Sequence, residues 1–265
     1  MRPMAEAVAG AGCPVALSVA APAGTSGGAS VGVPVDVVRV APGRDTDPGL
    51  AAFVAAPAFP CVGAKSALAK EQLLTFAAHD LGCPDQDAAI HAALLGFIAD
   101  GRRARAPFRS FAVVFAGPTT LDEAGFEACL WQRLQALSDI DVARGFAYDH
   151  RVSADPRDAN FAMSFGEEAF FIVGLHPAAS RPARRFAHPT LVFNRHDQFE
   201  QMRATGTYDK MREVIIRRDV AYSGTSNPML AAFGKVSEAR QYSGRAVGGE
   251  WSCPFRRSAG ATAER

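Results

Sequence analysis

Two apolar runs, Asn160 to Phe165 and Ala169 to Leu175, are separated only by Gly166-Glu167-Glu168. Runs this short with a glycine at the break read as a β-hairpin, so the chain must build a sheet. Further strands are expected at Ser110 to Ala116 (SFAVVFA), closed by Gly117-Pro118, and at Pro189 to Phe193 (PTLVF). Between them the period changes. Ser66 to His79 places Ala69, Leu73, Phe76 and Ala77 at helical spacing, and Cys83-Pro84 breaks the pattern. Asp85 is a candidate N-cap for a second helix, Ala88 to Ile98, followed by a basic loop from Gly101 to Pro107. Thr120 or Asp122 can cap a helix with Phe126, Leu130, Leu134 and Leu137 on one face and Trp131 beside it. Asn194 can cap a helix carrying Phe199, Met202 and Arg203, and Tyr208 to Arg218 reads as another. The last forty residues show no clear period. Strands and helices without strict alternation predict an α+β domain: single and compact, with a short mixed sheet and several helices.

Residues 1–48 contain Ala, Gly, Pro and Val with few large side chains. They bury too little to offset the entropy of ordering and are expected to form a flexible extension, with VPVDVVRV (33–40) as a candidate strand. The domain itself is expected over 49–257, its clearest blocks running from Phe59 to Phe255, with a disordered tail at 258–265. Lys and Arg number 28 against 27 Asp and Glu, which gives no basic excess for nucleic-acid binding. The chain has no continuous apolar run of about 20 residues and no firm apolar core near its start. A soluble, cytoplasmic protein without membrane contact is expected. The five cysteines are widely spaced and form no CxxC, so neither a disulfide framework nor a structural zinc site is expected.

The chemistry-bearing residues concentrate between Gly174 and Arg203. This stretch holds His176, His188 and His196, half of the six histidines, together with Arg181, Arg184, Arg185, Arg195 and Arg203. Imidazoles can bind a metal or a haem iron, and arginines can pair with propionates. The arginines could instead hold a phosphate or carboxylate substrate without a metal. A third reading leaves all of them as loop-bracing and solvated side chains. There is no HExxH and no GxGxxG after a predicted strand.

Eight blocks occur in order: FPCVGAKSAL (59–68), FAVVFAGP (111–118), FEACLWQRLQ (126–135), NFAMSFGEEAFFIVGLHPAASRPARRF (160–186), FNRHDQFEQMR (193–203), GTYDKMREVIIRRD (206–219), SNPML (226–230) and QYSGR…WSCPF (241–255). In order and spacing they resemble the YqcI/YcgG family. Characterised members are haem proteins that hydroxylate nitrogen on arginine-like substrates in the biosynthesis of antibiotics and toxins such as D-cycloserine and guanitoxin. The resemblance therefore implies haem b (protohaem IX), a guanidino substrate, dioxygen or peroxide, and an external electron donor, with a homodimer open as an assembly. The implied reaction converts L-arginine to Nω-hydroxy-L-arginine, as in biosynthesis of the D-cycloserine type. A non-catalytic haem sensor or carrier is the alternative, and a non-haem enzyme using the arginines to hold an anion is a third.

Within that implication His196 is the first choice of axial ligand, with Asp197 or a backbone carbonyl orienting its ring. The alternatives are His176, His188 and Cys253, and Cys61 invites the same argument as Cys253. With His196 on iron, His176 could lie distal and deliver protons. Arg181, Arg184 and Arg185 are candidates for the propionates. Trp131 and Trp251 either wall the cofactor or pack in the core. Glu167, Glu168 and Glu200 are candidate partners for a guanidinium, and Tyr242 and Arg245 for a substrate carboxylate.

Overall fold

A computed structural model of the chain describes residues 46–104 and 108–258. The strand expected at 33–40 and most of the expected C-terminal tail lie outside these residues. Among the described residues are seven α-helices and five strands. The strands are β1 (Leu73–Asp80), β2 (Ser110–Gly117), β3 (Met163–Phe165), β4 (Glu168–Leu175) and β5 (Thr190–Arg195). They form one sheet in the order β1-β2-β5-β4-β3, parallel between β1 and β2 and antiparallel elsewhere. The α+β expectation is met, including the β3–β4 hairpin with its turn at Gly166-Glu167, both at positive φ.

The helices are α1 (Pro48–Ala55), α2 (Val62–Ala69), α3 (Asp87–Ala104), α4 (Glu123–Ala143), α5 (His196–Ala204), α6 (Tyr208–Ser223) and α7 (Ala239–Tyr242). Asp122 caps α4 through its bond from the Gly125 N–H. Three expectations are corrected. The helix expected from Ser66 to His79 ends at Ala69; Glu71 sits at positive φ and the chain continues as β1. Leu73, Phe76 and Ala77 fit a helical period, but a short apolar run in a parallel strand does so equally well. Asp85 lies in a 3-10 turn (Pro84–Gln86), and α3 runs past Ile98 to include Arg102 and Arg103. Asn194 does not cap α5: it belongs to β5, where its side chain joins Ser110 and the Phe171 carbonyl, and Arg195 precedes the helix. Helix α1, at the start of the domain expected over 49–257, buries Leu50 and Val54.

The sheet has two unlike faces. The first carries Phe111, Val113, Phe115, Leu191, Phe193, Phe170 and Ile172, all within about 1% of full burial. Helices α3 and α4 close it with Ile90, Leu94 and Phe97 and with Phe126, Leu130, Leu134 and Leu137. Each such side chain contributes about 1.5–3 kcal/mol by leaving water. Gly174 lies where α4 comes closest; a Cβ there would meet Phe126 Cε1 at 2.7 Å and Leu130 Cδ1 at 2.9 Å. The second face carries Ala112, Val114, Leu175, Val173 and Val192 and is covered by α1 and α2 on the β1–β2 side. Over β4 and β5 it is less well closed: Val173, Val192 and Asn194 are only partly buried. The helix on that side, α6, packs mainly against α2, α5 and the 3-10 turn at Pro182–Arg184. None of its sixteen residues is buried, although Met211, Val214, Ile215 and Ile216 are apolar.

Candidate functional site

His176 and His196 follow β4 and β5 directly and are almost fully buried, at 1% and 2% exposure. In each, Nδ1 is buried without a hydrogen-bond partner among the described residues. They do not share a site. Arg195 lies opposite Phe170 and Thr190 opposite Leu175, so the two histidines extend opposite ends of the β4–β5 ladder. The six steps from Phe170 to His176 span roughly 20 Å at about 3.3 Å each. They also face opposite sides of the sheet. His176 stacks on Phe126 of α4, with ring centroids 4.3 Å apart. His196 touches Phe199 and Phe233 and, through Phe199, Phe171. One iron cannot lie between them, which corrects the expectation of a proximal His196 with a distal His176. His188 is exposed beside Phe186.

The second ring nitrogen distinguishes the pair further. His196 Nε2 meets both oxygens of the buried Glu238, at 3.0 and 3.2 Å. Glu238 Oε2 also accepts from the Tyr242 hydroxyl at 3.4 Å. The expected orienting group, Asp197, is engaged by Arg195 instead, at 2.6 Å. For His176 no carboxylate plays this part. Burial holds its imidazole below the ordinary 6.5 and keeps it neutral near pH 7.

The three arginines expected at propionates are already engaged. Arg181 Nη2 bonds Asp219 at 2.5 Å and the Thr225 carbonyl at 3.1 Å. Arg184 donates to the carbonyls of Gly174, Tyr242 and Gln241, and burial lowers it to about 10. Arg185 donates to the carbonyls of Ala179 and Ser180. These arginines brace the loop after His176 rather than present free forks. Arg203 differs: it is exposed and lies over the rings of Tyr208 and Phe233, on the His196 side. Arg181 also lines a cleft of about 180 Å³ with Ser223, Thr225, Asn227, Met229 and Gly244.

Of the carboxylates, Glu167 is exposed at the hairpin turn. Glu168 is enclosed by Arg102, Arg151 and Arg195, and Glu200 reaches Arg151 at 3.4 Å. Arg245 is bound to Glu127 at 2.5 Å rather than left open for a substrate. Trp251 Nε1 and Ser243 Oγ donate to the same carboxylate at 2.9 and 2.8 Å. Burial acts to raise Glu127, but these three hydrogen bonds outweigh it and hold the group below its ordinary value. Trp251 thus joins a polar cluster while its ring packs on Trp131. Tyr242 is fully buried; its hydroxyl accepts from the Met163 N–H at 3.2 Å, so it is a core residue.

Burial pushes the Cys253 thiol up to about 12, which opposes a thiolate there at neutral pH. Burial also raises Cys61, against the pull of hydrogen bonds from the Ala64 and Gly63 backbone at the start of α2. Cys61 lies on the second face, among residues packed against its core.

Four functional-looking carboxylate and histidine positions escape a linear reading: Glu127, Glu238, and the buried pair His91–Asp141, joined at 2.8 Å.

Among the described residues no helix is long and apolar enough to cross a membrane. The model of the YqcI/YcgG family matches residues 50–256, most of the chain. No curated protein and no solved structure matches. The chain belongs to the YqcI/YcgG family.

Proposed function

From that membership, we propose that the protein is a haem-dependent monooxygenase that N-hydroxylates a guanidino group, with L-arginine as the leading substrate and Nω-hydroxy-L-arginine as its product. When bound, haem supplies the activation of dioxygen and the transfer of one oxygen atom to nitrogen. Overall, one oxygen atom enters an N–H bond and the other leaves as water. An external donor supplies two electrons, and two protons are taken up.

The observation that supports this reading is the partly covered second face of the sheet. Val173 and Val192, paired across β4 and β5, are only partly buried there, and α6 beside α2 and α5 carries Met211, Val214 and Ile215 unburied. A planar apolar cofactor needs such a surface, and it needs a donor at its edge. His196, with one ring nitrogen unpartnered, is the residue that would hold the iron; Cys61 is the second donor on this face. Arg203, resting on Tyr208 and Phe233, would be the guanidinium to meet a propionate. The apolar residues of α6 and the sheet would exclude water from the reacting nitrogen. The cleft beside Arg181 opens at the end of the same helix and would admit a substrate of the size of arginine.

The test is direct. Haem-loaded protein incubated with L-arginine and a reductant or peroxide should yield a product heavier by one oxygen atom. Protein that acquires no Soret band on reconstitution with haem would sink the proposal.

A further inference from the structure

We propose that Glu238 is a positioning residue that keeps the His196 proton on Nε2, so that Nδ1 is the atom that binds iron. This rests on the haem reading above and adds to it the ligating atom and the group behind it.

Three observations support the assignment. First, a carboxylate accepts and does not donate, so Nε2 facing both oxygens of Glu238 at 3.0 and 3.2 Å is the protonated nitrogen. That leaves the lone pair on Nδ1. Second, Nδ1 is buried with no partner in a residue 2% exposed, and such a group is costly unless something satisfies it. Third, the ligand-free surroundings are apolar: Phe233 lies edge-on 4.9 Å from the ring and Phe199 6.2 Å. Among the described residues no side chain bonds that nitrogen. A histidine that ligates a metal through one nitrogen commonly donates the other N–H to a carboxylate, which fixes the ring and raises its basicity. Glu238 is itself fixed, because Tyr242 donates to Oε2 and has its own hydroxyl anchored by the Met163 N–H.

The experiment uses the full chain and haem alone, with absorption, potential and vibrational readouts rather than turnover. Wild-type protein, His196→Ala and Glu238→Gln are titrated with haem. The proposal expects His196→Ala to lose the wild-type Soret signature and added imidazole to restore it. It expects Glu238→Gln, which keeps the shape and removes the charge, to bind haem about 10–100-fold more weakly. In that variant the iron–imidazole vibration shifts to lower frequency and the midpoint potential rises, because a less basic ligand disfavours the ferric state. An unchanged spectrum in His196→Ala, or an unchanged potential and vibration in Glu238→Gln, overturns the proposal while leaving the haem enzyme reading intact. A wild-type chain that binds no haem overturns both. Should His196→Ala fail to fold, the isosteric Glu238→Gln variant decides alone.

Discussion

Each face of the sheet carries one buried histidine–carboxylate pair, and the two are built differently. On the first face His91 of α3 meets Asp141 of α4 at 2.8 Å, both at 0% exposure. Its other nitrogen faces the Arg144 guanidinium at 3.5 Å, and Asp141 also accepts the Gly166 N–H at 2.9 Å. On the second face His196 meets Glu238, but its other nitrogen has no hydrogen-bond partner among the described residues. The first pair ties two helices to the hairpin turn. The second holds an imidazole with one coordination position unfilled. The surroundings differ in the same sense: α3 and α4 close the first face completely, while α6 leaves the second partly open. A buried histidine paired with a carboxylate is therefore not by itself a sign of function; the state of the second nitrogen separates the two cases.

The comparison can be broken most forcefully at Asp141. Asp141→Ala leaves His91 and the Gly166 N–H without their acceptor in the core. A loss of about 3–5 kcal/mol is expected in denaturant unfolding, with haem binding by the remaining folded protein unaltered. If haem binding fails in parallel with an intact fold, the division between a structural and a functional pair is wrong.

Gly174→Ala tests how tightly the first face is closed. The added methyl group meets Phe126 and Leu130 inside 3 Å, and a cost of about 1–3 kcal/mol is expected from thermal or urea unfolding. The contrasting substitution is Val192→Leu on the second face. It should change stability by less than about 1 kcal/mol, since Val192 is only partly buried, and yet weaken haem binding in a titration. Equal costs for the two would mean that the faces are packed alike.

The smallest effect expected is one of pH. His176 is held below its ordinary 6.5 by burial, so in the unfolded chain it takes up protons at a higher pH than in the folded one. Its contribution is fully present above about 6.5 and declines as the pH falls toward the folded value. The midpoint of urea unfolding, followed from pH 7.5 to 5, should fall less steeply in His176→Gln than in the parent. An identical slope would show that His176 titrates freely in the folded state.

The hairpin, α4 and the β2 and β5 strands were legible because their signals are local: an apolar run, a break, a cap. β1 was not, since Leu73 to Ala78 is apolar at both helical and extended periods and only its pairing with β2 decides. The same division holds for the site. The density of His and Arg between His176 and Arg203 is a local signal of the same kind. Their separation into two sites could not be read, because it follows from the antiparallel register of β4 and β5. Nor could the partners be read. Glu238 lies 42 residues from His196, and Asp141 lies 50 from His91. Arg181, Arg184 and Arg185 looked available as a run of charges, and the fold had already committed them to Asp219 and to backbone carbonyls.

A helix that buries none of its residues has a further consequence. Helix α6 is fastened mainly at its rim, where Arg218 donates to the carbonyls of Pro57 and Phe59 and Asp219 receives Arg181. Its amides should exchange with solvent deuterium through local openings that leave the sheet intact, while those of α4 exchange only when the whole domain unfolds. A ligand seated between α6 and the sheet would bind the closed helix alone, and would slow that exchange in proportion to its concentration. The difference in protection between α4 and α6, measured with and without haem, would then report occupancy of the second face without any assay of turnover.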